Sequence, residues 1–204
     1  MKILIFSLLN FVTFAVLSQS FQQKQLKFER VKDAFDTKWP ELEDLIKSKG
    51  FNPKKFKIFI RVLKEDQKTE IWISKNAKSK FELLKTYTIA RSSGVLGPKR
   101  AEGDLQVPEG FYHIDRLNPI SSYYLSLGIN YPNQSDKILG KDKPGSDIFI
   151  HGSDVTIGCV PLTDDKIKEV YALAVLARNN GQKKIEVHIY PFEMTEKKLE
   201  TRKL

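Results

Sequence analysis

The chain holds a single cysteine, Cys159, in 204 residues. A lone thiol cannot form an intramolecular disulfide, so no covalent staple holds this fold. The second half of a C-x-x-C pair is missing, which argues against a dithiol redox protein. No internal repeat and no low-complexity tract occurs, which excludes solenoids and biased linkers. The lysines are scattered, as at Lys24, Lys27, Lys54, Lys55, Lys57, Lys183, Lys184, Lys197 and Lys198. No basic stripe interleaved with aromatics stands out, so no nucleic-acid partner is expected. The longest apolar run, near the start, is about 15 residues, short of the ~20 that a spanning helix needs.

What is present reads as a soluble globular protein: 41% hydrophobic and 29% charged residues, with a formal net charge of +9. The length suits one domain with an appended segment and is enough for a sizeable core. Lys2, the apolar run "ILIFSLLNFVTFAVL" and "SQS" form a secretory signal pattern over residues 1–20, with cleavage expected after Ser18 or Ser20. No cysteine lies near the cut, so no lipid anchor is expected. The expected location is therefore the periplasm or cell envelope, with membrane contact only through the signal segment. The basic excess survives removal of that segment and favours an anionic partner.

Along the mature chain, residues 21–53 read as an N-terminal helical segment. Phe28, Val31 and Phe35 have helical spacing; Pro40 is expected to open a second helix, striped by Leu42, Leu45 and Ile46 and ended by Gly50. The period then changes. "FKIFIRVL" (56–63) alternates as a strand, and strands are also expected at 70–74, 81–90, 111–117, 121–129, 147–151 and 184–190. The Gly/Pro-rich stretch 91–110 and the polar stretch 133–147 read as loops; a loop of the latter length often covers a site. Thr163 is placed to cap a helix with Asp164 and Asp165 at its positive end, Ile167, Val170, Tyr171 and Ala174 along one apolar face expected to be buried, and Gly181 at its close. The pattern is α+β and mainly β: a domain over 54–194, N-terminal helices, one helix after the cysteine, and a basic solvated tail over 195–204.

The chemistry concentrates in "IHGSDVTIGCVP" (150–161). A cysteine attacks as thiolate, and an ordinary thiol holds little thiolate at neutral pH. His151 ends a predicted strand, and two glycines in 152–158 let the chain fold back to bring Cys159 beside the imidazole. Amides at Ile157, Gly158 and Cys159 are candidate oxyanion donors. The group that orients the imidazole is Ser153, Asp154 or a backbone carbonyl near Gly152; the sequence does not choose. From residue types alone, an inert buried cysteine beside a structural histidine stands as the competing reading.

"HGSDVTIGC" resembles the active-site signature of the L,D-transpeptidase (YkuD-like) family: His-Gly, a spacer, then Ser/Thr, a variable residue, Gly and Cys. "FERVKDAF", "FIRVLKEDQKTEIWI", "KRAEGDLQVPEGFY", "YLSLGINYPN", "DIFIHG" and "VHIYPFEMT" resemble, in order, the YafK-like branch. Ile157 stands where many members have His, the spacer is short, and Val107 replaces a usual Thr. The resemblance implies a mixed β-sandwich or barrel with Cys159 as nucleophile and His151 as base. It implies peptidoglycan tetrapeptide stems as substrate, an acyl-enzyme, and transpeptidation to an amine on another stem or a wall-linked protein. It implies no metal and no organic cofactor. The alternatives are a hydrolase of the same fold, either an L,D-carboxypeptidase or an amidase releasing wall-linked protein, and a non-catalytic wall-binding module.

Arg91, Lys99 and Arg100 are candidates to pair with stem-peptide carboxylates. One of the adjacent Tyr123 and Tyr124 is expected to face the pocket, with Tyr124 taken as the candidate. His113 and His188 sit in strand patterns and read as structural. Asp104 and Glu109 read as turn-shaping, and Trp39 and Trp72 as packing.

Overall fold

A computed structural model describes residues 19–202. The expected signal segment therefore lies outside the described residues, Gln19 and Ser20 excepted. Helices α1 (Phe21–Gln25) and α2 (Glu29–Ser48) precede β1 (Lys57–Leu63), β2 (Lys68–Ser74) and β3 (Glu82–Thr88). Then come β4 (Gly110–Asn118), β5 (Ser126–Ile129), α3 (Gln134–Leu139), β6 (Phe149–His151) and β7 (Val160–Pro161). Helix α4 (Asp164–Asn179), β8 (Glu186–Tyr190) and α5 (Glu196–Arg202) complete the chain.

The strands form one sheet in the order β3-β2-β1-β8-β4-β5-β6-β7. Alternation sets its two faces. Ile58, Ile60 and Val62 of β1, Ile71 and Ile73 of β2, and Val187 and Ile189 of β8 turn inward and are buried. Helix α4 lies against that inner face, touching β1, β5 and β6, and α2 packs on α4. Covered on both sides, α4 buries residues all round, from Ile167 and Val170 to Ala174 and Leu176. The outer face carries a belt of aromatics instead. His188 sits edge-on between Phe59 and Phe111, each 4.6 Å away centroid to centroid.

Four elements differ from the expectation. Helix α2 runs unbroken through Pro40. Pro40 and Asp36 are both exposed, so the Asp36 carbonyl that loses its partner at Pro40 can meet water. Meanwhile Val31, Ala34, Phe35, Leu42 and Ile46 are held by α4 in the same core as the sheet. The stretch 133–147 is not all loop: Asn133 and Asp136 close a capping box that starts α3. The basic tail is a helix, α5, tied down by Lys198 on Asp66 and Arg202 on Glu65, so two helices follow Cys159. The expected strand at 121–129 shortens to β5, with residues 121–125 left as a turn.

Candidate active site

Strand β6 lies between β5 and β7. His151 pairs with Ser126 on one side and, in parallel register, with Pro161 on the other. Two residues back, Phe149 faces Gly128, and its N–H points at the Cys159 sulfur, 3.4 Å away. Ile150 and Val160 are buried in the core, so by alternation His151 and Cys159 project from the opposite face, as diagonal neighbours. In this arrangement Sγ points to the Phe149 N–H and to the Asp147 carbonyl at 3.8 Å. No hydrogen bond joins it to the imidazole among the described residues.

Two parallel strands are usually joined by a long crossover; here residues 152–159 suffice because the link wraps tightly. A Cβ at Gly152 would stand 2.6 Å from Asp164 Oδ1 and 2.7 Å from the Tyr123 carbonyl, so only glycine fits. Ser153 adopts a positive φ of 61°, and its N–H donates to Asp164 Oδ1 at 2.7 Å. Gly158 has φ 134°, and a Cβ there would meet the Gln106 carbonyl at 3.0 Å. The Thr156 hydroxyl ties the turn together: it accepts from the Gly158 and Cys159 amides at 3.1 and 2.8 Å and donates to the Cys159 carbonyl at 2.8 Å.

His151 is 1% exposed. Its Nδ1 lies 2.5 Å from the Gly152 carbonyl. A carbonyl only accepts, so the proton is on Nδ1 and the Nε2 lone pair is free. Burial pulls the imidazole below its ordinary value, against the Gly152 hydrogen bond. Burial also pushes the Cys159 thiol up, as does Asp147, while the Phe149 N–H and Lys99 act the other way. At neutral pH both groups are therefore uncharged: a thiol and a neutral base. A cavity of about 310 Å³ opens on the sulfur, walled by Glu102, Leu105, Gly145, Asp147 and Ile157.

The other sequence candidates separate. Of the orienting pair, the Gly152 carbonyl holds the imidazole, while Ser153 is turned to Asp164. Of the oxyanion candidates, the Gly158 and Cys159 amides are spent on Thr156; the exposed Ile157 keeps its N–H without a partner among the described residues. Lys99 is buried and lines the cavity, but its ammonium is held by Asp104 Oδ1 at 2.6 Å and the Ala101 carbonyl at 2.9 Å. It is a loop post rather than a free cation. Arg100 sits 3.9 Å from Asp136. Arg91 is exposed and makes no ion pair among the described residues. Tyr124 sends its hydroxyl to Asp33 of α2, 2.7 Å away. Tyr123, its neighbour, is the tyrosine at the site: its ring lies 4.6 Å from the His151 ring, tilted by 31°. Thr163 precedes α4 but its side chain caps nothing. Sequence reasoning missed Asp147 and Ser126. The latter's buried hydroxyl, directly across from His151, has no partner among the described residues.

Fold and signature together define the class. Residues 57–188 match the L,D-transpeptidase catalytic domain, YkuD, and the chain belongs to that family. Among its relatives is YafK of Escherichia coli (strain K12), which its name assigns provisionally to the L,D-transpeptidases. The two are 36% identical over 148 residues, 72% of this chain and 58% of YafK. The same values hold for the YafK of Escherichia coli O157:H7. Among solved structures, Pgp2 of Campylobacter jejuni, a helical cell-shape-determining protein, superposes with a TM-score of 0.54 and 26% identity. That match covers 68% of this chain and 49% of Pgp2. The chain thus spans little more than half the length of the relatives it matches.

Proposed function

We propose that this chain is an exported peptidoglycan L,D-transpeptidase that works through a thioester at Cys159. The observation that carries the reading is the β6–β7 register, with His151 and Cys159 on one face and the Nδ1 proton committed to Gly152. The thiol proton passes to Nε2 as sulfur attacks the carbonyl carbon between meso-diaminopimelate and the terminal D-Ala of a tetrapeptide stem. The Ile157 N–H is the free donor for the oxyanion. Collapse of the tetrahedral intermediate expels D-Ala, whose amine takes the proton from the imidazolium. An amine on a second stem or on a wall-linked protein then attacks the thioester and restores the thiol.

The leader pattern supports export, and Pgp2's role in cell shape supports a wall substrate. Purified protein incubated with tetrapeptide muropeptides is expected to give cross-linked dimers with loss of D-Ala, read by mass spectrometry, and Cys159→Ala to give neither. Shortened stems without dimers would replace transpeptidation by hydrolysis at the same thiol. Identical products from the Cys159→Ala protein would overturn the reading.

A further inference from the structure

Helix α2 lies outside residues 57–188, yet it reaches the histidine site. The Arg30 guanidinium donates from Nη1 to the Ser121 carbonyl at 2.7 Å and to the Tyr124 carbonyl at 2.8 Å. Those two acceptors flank Tyr123, so one cation closes the turn around it. Asp33, one helical turn on, accepts the Tyr124 hydroxyl at 2.7 Å and pairs with Lys168 of α4 at 2.6 Å. The Tyr124 ring lies under both cations, 5.4 Å from the Arg30 guanidinium carbon and 5.6 Å from the Lys168 ammonium.

Tyr124 needs this grip. Its φ of 68° is a left-handed conformation that a residue with a Cβ adopts only against strain. Held there, the two adjacent tyrosines part: Tyr124 goes to α2 and Tyr123 to the His151 ring. Tyr123 is 42% exposed and His151 is 1% exposed, so the tyrosine ring is the lid over the imidazole. The same turn bears on the residue that holds Nδ1, because the Tyr123 carbonyl fills the space where a Gly152 side chain would be.

We propose that Arg30 and Asp33 of α2 are positioning residues for the reaction: they hold the 121–124 turn so that Tyr123 lies on His151, fixing the ring and keeping it dry. The proposal rests on His151 being the base. It gives α2 a role in the site, through a stretch that the family's catalytic domain does not include. Water kept from the imidazole keeps it neutral and able to accept a proton, because burial is the main influence lowering its affinity for one. The titratable and charged groups around the ring are Cys159 on the same face, Tyr123 on the turn, and Asp164 of α4, whose carboxylate is engaged by the Ser153 N–H. Asp154 is exposed.

The test needs no substrate, so it stands apart from the muropeptide assay. The His151 titration is followed by NMR in the full chain, with His113 and His188 as internal references. Tyr123→Ala is expected to move His151 upward toward the ordinary histidine value, Arg30→Ala to move it the same way, and Tyr123→Phe to leave it as in the parent, since the ring and not the hydroxyl is the lid. Thermal midpoints and circular dichroism establish that each variant is folded. A variant too unstable to titrate is replaced by Arg30→Gln, which keeps a donor but loses the charge and is expected to shift His151 upward by less than Arg30→Ala. An unmoved His151 in folded Tyr123→Ala overturns the proposal. So does an Arg30→Ala protein whose midpoint falls while His151 titrates unchanged, because α2 would then brace the fold alone.

Discussion

A single hydroxyl organises the thiol turn. Thr156 Oγ1 satisfies two amides and one carbonyl within residues 156–159, which explains why Ser or Thr stands three positions before the cysteine in the signature. Thr156→Val keeps the shape and strands the two amides. A loss of about 1–3 kcal/mol is expected, read as a lower urea midpoint, with Thr156→Ser recovering most of it. At this scale the sequence was legible where chemistry is local. His151, Gly152, Gly158 and Cys159 lie within one short stretch, and their spacing foretold a fold-back. Tyr123 was not separable from Tyr124, because what parts them is Arg30, some ninety positions away in the chain. Lys99 looked like a free cation because its counter-charge, Asp104, looked like a mere turn residue.

At the scale of elements, the Gly/Pro-rich stretch between β3 and β4 holds its shape through buried charges instead of hydrogen-bonded ladders. Lys64, just past the end of β1, donates to the carbonyls of Val95, Gly97 and Val107 and to Glu109. Asp104 collects the Lys99 ammonium and the amides of Arg100, Ala101 and Gln106. Burial pushes the Asp104 carboxyl up, but these donors outweigh it and bring it down to about 2 from 3.8. A carboxylate whose folded value is depressed stabilises fully above its unfolded value, and that stabilisation is lost as pH falls through the folded one. Asp104→Asn is therefore expected to cost roughly 2 kcal/mol at pH 7, and the gap from the parent to close between pH 3.8 and about 2. Urea midpoints at the two ends of that window check it. Strands β1 and β8 were legible from alternation, and α4 from its apolar stripe. The continuity of α2 was not, because a proline signals a break and only the packing on α4 overrides it.

For the molecule as a whole, α4 is the layer between the sheet and α2. Its sheet-facing side was expected to be buried; its far side is apolar because α2 covers it. A chain beginning at residue 54, the boundary that the change of period suggests, would expose that side together with the partners of Val31, Phe35, Leu42 and Ile46. Each large apolar side chain lost from such a core is worth about 2–5 kcal/mol. The truncated chain is therefore expected to lose its cooperative thermal transition, measured by calorimetry, while the chain from residue 21 keeps it. The sheet order carries a last consequence. Strand β8 follows the seven other strands in sequence yet sits between β1 and β4, and joins two halves that are otherwise apart. The β1–β3 ribbon and the β4–β7 ribbon can each zip up locally, but the middle of the sheet waits for residues 186–190. That strand is the keystone, and whatever removes it leaves two ribbons and no sheet.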